Sequence, residues 1–245
     1  MDVNKLLQGD CLDLMKDIPD GSIDMIFADL PFEVTQNKKD IAIPFIPLWE
    51  QYERIIKQNG AIVLFGQDKF TIDLILSNKK LHRYNLIWDK VLPSGFLNAN
   101  RQPLRSHEDI CVFYKKQPTY NPQKTIGEKS SHSKGKPKKT ANNNYGDFDF
   151  VDNKEVHGKL KFPKSILTFK KPHPSITINP TQKSVELSEW LIKTYTNENE
   201  IVLDNVAGSM TTAIACINTN RKYICMEMDE EMFLKGKTRV DNHIK

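Results

Sequence analysis

The order of elements along the chain predicts an α/β protein built on a largely parallel, doubly wound sheet with helices on both faces. Three observations carry this expectation. Short continuous apolar runs at residues 23–28, 61–65, 201–203 and 223–226 read as strands buried on both faces. Segments with apolar residues at helical spacing alternate with them. Several of the runs end in an acid or a glycine, at the strand tips where such folds keep their active-site crevice.

Each element follows from local chemistry. Lys5-Leu6-Leu7-Gln8 reads as a short strand, and after the Gly9 turn Asp10 can cap a short helix through Leu12, Leu14 and Met15. Asp20-Gly21-Ser22 turns the chain into the strand before Asp29, which has one polar interruption at Asp24. Phe45, Leu48, Trp49, Tyr52, Ile55 and Ile56 fall on one helical face, and Gln58-Asn59-Gly60 is expected to stop that helix. A strand at 61–65, a helix at 68–77 and a strand at 84–88 follow, then mostly polar loop over 89–108 and a strand at 109–114. Later, Thr181 or Ser184 can cap a helix through Leu187, Trp190 and Leu191. The strand 201–204, a glycine-containing turn, a helix at 211–219, a strand at 223–227 and a final helix from Asp229 complete the pattern.

Composition bounds the function. The 245 residues suffice for one large α/β domain with an insert. No apolar run approaches the length of a bilayer span, which points to a soluble, cytoplasmic protein. The four cysteines are scattered, three of them in apolar runs and none in a C-x-x-C pair, so reduced core cysteines are expected rather than disulfides or zinc. No cluster of His, Cys and Asp suggests a metal. Residues 121–171 hold 12 Lys against 5 acids, a local net charge of +7 in a chain whose total is +4. The expected division is therefore 1–120 and 172–245 as one discontinuous domain, with 121–171 as a basic insert. Lys134, Lys136, Lys138 and Lys139 cluster around Gly135 and Pro137, a pattern suited to phosphate contact. Arg101, Arg105 and His107, just after a strand, are further DNA-facing candidates.

Two stretches carry chemistry. In Asp29-Leu30-Pro31-Phe32, Pro31 holds Leu30 extended, which aims the Asp29 carboxylate and the Leu30 carbonyl outward beside an aromatic ring. Two acceptors next to a stacking surface suit a planar group with an amine at its edge, such as an extruded base. From Leu203 to Glu227 the order strand, glycine turn, helix, strand, acid is how βαβ units hold nucleotide-like cofactors, with Glu227 the ribose candidate.

Together these stretches resemble the motifs of DNA amino methyltransferases, which move a methyl group from S-adenosylmethionine to adenine N6 or cytosine N4. Asp29-Leu30-Pro31-Phe32 resembles their Asp-Pro-Pro-Tyr motif, and Asn179-Pro180-Thr181-Gln182-Lys183-Ser184 looks like His-Pro-Thr-Gln-Lys-Pro. Residues 203–212, Leu-Asp-Asn-Val-Ala-Gly-Ser-Met-Thr-Thr, are similar to the cofactor loop Leu-Asp-Pro-Phe-Ala-Gly-Ser-Gly-Thr-Thr. The catalytic motif precedes the cofactor loop with a recognition segment between them, which is the beta arrangement of that family. The resemblance implies a Rossmann-like methyltransferase fold, double-stranded DNA as partner, a restriction-modification or phage-like setting, and a homodimer. It also implies roles: Asp29 and the Leu30 carbonyl accept from the target amine, Pro31 holds them, and Phe32 stacks on the flipped base. Asp10, Asp204, Ala207, Gly208, Thr211 and Glu227 surround S-adenosylmethionine, with Thr181, Gln182 and Lys183 beside its methionine end. No metal is implied.

The departures from the motifs define a second expectation. Leu30 and Phe32 stand where the family has Pro and Tyr, Glu33 adds a negative charge, and Asn205, Val206 and Met210 replace Pro, Phe and Gly in the cofactor loop. A Met at that glycine position is expected to point into the cofactor space or to shift the turn, although an outward rotamer would rescue binding. The alternative to an active enzyme is thus a pseudo-methyltransferase that keeps the fold but binds cofactor poorly and acts as a DNA-binding or regulatory protein. An RNA methyltransferase of similar architecture fits the motif order less well.

Overall fold

The computed structural model describes residues 2–32, 42–128 and 159–245. These form two compact units, one of Met1–Asn121 with Ser165–Lys245 and one of Pro122–Lys164.

The larger unit follows the chain as β1 (Lys5–Gln8), α1 (Cys11–Leu14), β2 (Ile23–Ala28), α2 (Phe45–Ile55), β3 (Ile56–Gly66), α3 (Asp68–Ser77), β4 (His82–Ser94) and β5 (Arg105–Phe113). In the smaller unit β6 (Thr125–Ile126) pairs antiparallel with β7 (Leu160–Lys161), and Lys124 lies over the Phe162 ring. The chain then returns to the larger unit as β8 (Ile166–Thr168), α4 (Val185–Tyr195), β9 (Ile201–Asp204), α5 (Thr211–Asn218), β10 (Lys222–Glu227) and α6 (Glu230–Ile244).

One eight-stranded sheet has the order β1-β10-β9-β2-β3-β5-β4-β8. The strands from β1 through β3 are mutually parallel, β5 runs antiparallel to both β3 and β4, and β8 is parallel to β4. Successive side chains of β2 point to opposite faces, as the two-residue period of a strand requires. Met25 and Phe27 enter a core that also holds Leu187 and Leu191 of α4, Ala213 of α5 and Val240 of α6. Ile26 and Ala28 enter a second core with Cys11 of α1, Leu48 and Tyr52 of α2 and Leu74 of α3. The sheet is therefore covered on both faces. The helix caps are the expected ones, with Asp10 accepting from Leu12 N at 2.7 Å, Ser184 from Leu187 N at 3.4 Å and Asp229 from Met232 N at 2.9 Å. All four cysteines are free and buried. No helix among the described residues is long and apolar enough to cross a membrane.

Two elements differ from the sequence expectation. The helix ends at Ile55, and Gln58-Asn59-Gly60 lies inside β3 instead of forming a stop. Gly60 is needed there for another reason: a Cβ would lie 2.8 Å from the Asp24 carbonyl oxygen of the neighbouring strand. The stretch 89–108 is not mostly loop, because β4 runs to Ser94 and β5 starts at Arg105, making a long hairpin.

The polar interruption in β2 also has a purpose. Asp24 is buried, receives the Lys57 ammonium at 2.6 Å and accepts the Ile201 N–H at 2.9 Å, tying β2 to β3 and β9. Asp24→Ala should cost about 1–3 kcal/mol in urea unfolding, the penalty of an orphaned buried donor, whereas Asp24→Asn, which keeps an acceptor for Ile201, should cost less.

Candidate active site

The cleft is set by neighbouring parallel strands. β2 and β9 pair with Met25 opposite Val202 and Ile26 opposite Leu203, so Asp29 and Asp204 both stand at the carboxyl edge of the same part of the sheet. β10 lies on the far side of β9 and β1 beyond it, with Gln8 opposite Glu227, which brings Asp10 and Glu227 to that edge as well. The residues singled out in the sequence from four separate stretches thus line one edge.

In the Asp29 motif, the Leu30 side chain is buried in the core that contains Ile26 and Ala28, which anchors the turn where the family motif has a proline. The Phe32 ring stacks on Phe70 of α3 with centroids 4.5 Å apart and planes inclined by 29°. That contact fixes the ring without a hydroxyl; such aromatic pairs contribute about 0.5–1.5 kcal/mol beyond their buried area. Glu33 lies outside the described residues.

Lys183 reaches further than the sequence suggested. Its Nζ is 2.7 Å from Asp29 Oδ2 and 2.9 Å from Glu108 Oε2, and it sits 4.8 Å from the centroid of the Phe65 ring. Glu108 Oε1 in turn accepts from Lys90 Nζ at 3.2 Å. Lys90, Glu108 and Lys183 are largely buried, while Asp29 keeps 27 % of its side chain exposed. Burial pushes the Glu108 carboxyl up, but Lys183 and Lys90 outweigh it and hold Glu108 below the usual carboxylate range. Burial likewise pulls Lys183 down, and the two carboxylates more than restore it, leaving it above the usual lysine value. The result is an alternating chain, Asp29, Lys183, Glu108, Lys90, in which each buried charge has a partner.

The Thr181–Lys183 turn is internally tied. Asn179 Oδ1 accepts from the Thr181 backbone at 3.1 Å and hydroxyl at 3.0 Å, and buried Gln182 accepts from Ile178 N at 3.3 Å. Thr181 itself is exposed.

The cofactor-like loop is held by its own acids. Asp204 accepts from Val206 N at 3.1 Å and from the Thr212 hydroxyl. Burial raises its carboxyl to about 7, against the hydrogen bonds of Thr212 and Val206 and with help from the negative charges of Asp29 and Glu227. Glu227 accepts from Gly208 N at 2.9 Å and Asp229 N at 2.8 Å, and it remains only half-buried. Ala207 and Thr211 are buried and Gly208 is half-buried with φ +48°. Asn205, the family-atypical residue, accepts from the Tyr52 hydroxyl at 2.6 Å and donates to Cys11 Sγ at 3.4 Å, which ties the loop to α2 and α1.

Met210 corrects the sequence expectation. It adopts φ +60°, the left-handed conformation a glycine would take, yet its side chain is fully buried in the core and does not enter the cleft. The space comes from Gly236 of α6, where an added Cβ would lie 2.6 Å from Met210 Cγ and 3.0 Å from the Gly208 carbonyl oxygen. A left-handed non-glycine residue costs about 1–2 kcal/mol, and burying a methionine side chain returns roughly 1.5–3, so the buried arrangement is sustainable. Arg239, one turn further along α6, donates to Ser209 O at 2.8 Å and to Thr211 Oγ1 at 3.0 Å.

Sequence reasoning missed Lys90, Phe70, Gly236 and Arg239. Only Gly236 left a signal, as an isolated glycine inside a helical segment, a common mark of close packing. Arg105 opens β5 and Arg101 lies in the turn before it, both exposed. Lys134, Lys136, Lys138 and Lys139 lie outside the described residues. Among the described residues no group of three or more His, Cys, Asp or Glu could hold a metal ion.

The acid-tipped parallel strands of the eight-stranded sheet and the glycine turn between β9 and α5 give the fold of the S-adenosylmethionine-dependent DNA methyltransferases. The solved M1.HpyAVI–SAM complex shares it with a TM-score of 0.66 at 23% identity, covering 97% of this chain and 98% of that one. The cytosine-N4-specific PvuII DNA methyltransferase does so with a TM-score of 0.70 at 18% identity, covering 98% and 86%. The DNA methylase family of N6 and N4 enzymes matches residues 23–237, and the chain belongs to that family. It is 25% identical over 253 residues to the DNA adenine methyltransferase YhdJ of Escherichia coli (strain K12), covering 96% of this chain and 82% of that protein.

Two measurements check this site. Gly236→Ala should destabilise the fold by roughly 1–3 kcal/mol through overpacking. Adding Met210→Gly should recover much of that loss, with a coupling above about 0.5 kcal/mol in a double-mutant cycle; additive effects would contradict the packing. Asp204, whose folded pKa lies above its unfolded value, keeps a proton between about pH 4 and 7 that the unfolded chain has released. Its contribution to stability therefore falls as pH rises through that window, by about 4 kcal/mol at most. Asp204→Asn should flatten the pH dependence of the unfolding free energy there.

Proposed function

We propose that this protein transfers a methyl group from S-adenosylmethionine to the exocyclic amine of a base flipped out of double-stranded DNA, adenine N6 or cytosine N4. The observation that carries this reading is the inward-turned Met210, buried against Gly236, which leaves the glycine-type loop between Asp204 and Thr211 in place beside Glu227. It weighs against a non-catalytic protein, whose main support was a methionine filling the cofactor space.

The residues fit the group. S-adenosylmethionine is a sulfonium with an amino-acid ammonium and a ribose. The half-buried Glu227 offers a carboxylate to ribose hydroxyls, and both Asp29 and Glu227 lie close enough to Asp204 to act on it electrostatically. An acidic edge favours a cationic ligand. Gly208 and Glu227 are the proposed direct contacts, with Asp10 and Thr181 at the rim. Asp204, Ala207, Thr211 and Gln182 act by holding the loops in shape, since their side chains are buried.

When bound, the cofactor would supply an electrophilic methyl on a positively charged sulfur, the C–S bond breaking as the amine's C–N bond forms and the proton released from nitrogen passing to water. Asp29 and the Leu30 carbonyl accept hydrogen bonds from the amine, which orients its lone pair toward the methyl. Phe32, braced by Phe70, stacks on the base. Lys183 stabilises the charged Asp29 carboxylate and fixes its rotamer, with Glu108 and Lys90 behind it. Lys183 is thus a positioning residue on this reading, held between Asp29 and Glu108.

Calorimetry with S-adenosylmethionine and transfer of a labelled methyl group to unmethylated bacterial DNA test the reading together. Asp29→Ala should lower methyl transfer by about 10²-fold or more with cofactor affinity retained. Absence of cofactor binding by the wild-type protein would refute the proposal.

A further inference from the structure

The hairpin joining β4 to β5 has features that neither the sheet nor the cleft requires. Pairing is regular from Tyr84 to Asp89 opposite His107, then breaks, and Ser94 faces Arg105, so residues 90–93 form a bulge. Val91 has φ +63°, a costly conformation for a β-branched residue, with its N–H held by Asp89 Oδ1 at 3.0 Å. Beyond it, Gly95 at φ +90° opens a compact tip closed by Asn98 N to Gly95 O at 2.9 Å and Arg101 N to Asn98 O at 2.8 Å. The tip is folded, and it presents Phe96, 69 % exposed, and Leu97, fully exposed.

Its position and charge indicate the partner. β4 runs parallel to β2 and β3, so the hairpin leaves the sheet at the edge that carries Asp29. The last β5 residue paired with β3 is Asp109, and β5 continues four residues past it to Arg105, about 13 Å of extended chain. Between residues 91 and 105 there are two cations, the exposed Arg101 and Arg105, and no acid. Lys171, bonded through its N–H to the Lys90 carbonyl at 3.1 Å, adds a third beside the bulge, and among the described residues the exposed Asp68, 3.6 Å from Arg105, is the one carboxylate paired with the hairpin's arginines. The bulge is also wired to the site, because Lys90 is the last member of the chain that ends at Asp29.

We propose that this hairpin is a wedge for duplex DNA: Phe96 and Leu97 enter the stack at the target base pair and fill the space left by the extruded base, while Arg101 and Arg105 hold the flanking phosphates. Apolar side chains inserted between base steps offset the loss of stacking, which costs a few kcal/mol per step, and arginines at the base of such a wedge supply sequence-independent affinity. The proposal rests on DNA being the substrate but not on turnover.

The test uses the full chain without cofactor, a labelled duplex, and the same duplex with one abasic site, where the hole is already made. The wild type should bind the abasic duplex about tenfold more tightly, since the unstacking cost is prepaid. Phe96→Ser with Leu97→Ser should bring that ratio close to one with an unchanged salt slope, and its melting temperature should match the wild type because both residues are exposed. Arg101→Ser with Arg105→Ser should weaken both duplexes and flatten the slope. A wild type with no abasic preference, or a preference that survives in the serine variant, overturns the wedge. So does a serine variant that changes only the oligomeric state in sedimentation, which would make the tip a contact between copies. A wild type that prefers the abasic duplex yet transfers no methyl group sinks the proposed function and leaves the wedge standing.

Discussion

The seam between β2 and β9 is the constraint on which the cleft depends. On one side of it lie β1, β10 and β9 with the cofactor-like loop; on the other lie β3, β5, β4 and β8 with the Asp29 turn. These strands meet only where Met25 faces Val202 and Ile26 faces Leu203, reinforced by the Asp24 carboxylate on Ile201 N. A shift of one residue along this seam would exchange the faces of an entire strand, moving Met25 and Phe27 out of one core and Ile26 and Ala28 out of the other. Burial on both faces therefore fixes the register, and the register fixes how far Asp29 stands from the loop after Asp204.

Much of this was legible because it depends on periodicity and local chemistry. The buried strands, the caps at Asp10, Ser184 and Asp229, and the acids at strand tips are short-range signals. What escaped reading depends on partners distant in sequence. Gln58-Asn59-Gly60 looks like a stop signal, but in β3 the glycine answers to a neighbouring backbone at Asp24. The 89–108 stretch lacks apolar alternation and reads as loop, yet its two arms belong to β4 and β5, which pair with each other, and Asp89 also pairs with β8. The direction of Lys183 was hidden because its partner Glu108 is 75 residues away. The roles of individual site residues were legible only through resemblance, and they remain part of the proposed function.

Four of the departures from the family motifs share one physical pattern, a packing or hydrogen-bonding partner elsewhere in the fold. Leu30 loses the proline's rigidity and gains a buried side chain. Phe32 loses a hydroxyl and gains the Phe70 ring. Asn205 replaces a proline and gains hydrogen bonds to Tyr52 and Cys11. Met210 replaces a glycine and occupies the volume that Gly236 vacates. Read from the sequence alone the same substitutions looked like damage, since a motif comparison sees the residue lost and not the partner acquired.

The buried charges explain why such compensation is needed at this edge. An isolated carboxylate in a half-dry cleft would shift toward its neutral form, and Asp204, buried and in no ion pair among the described residues, does so. Asp29 is treated differently: Lys183 stands against it, and Glu108 and Lys90 stand behind Lys183 so that no member of the chain is left uncompensated. Two acids on adjacent strands thus receive opposite electrostatic environments. The one inside the loop is buried and its carboxyl is raised to about 7, while the one facing the opening lies 2.7 Å from a lysine ammonium. Removing Lys183 would therefore disturb both sides of the chain at once, leaving Asp29 without its nearest cation and Glu108 with only Lys90 to offset its burial.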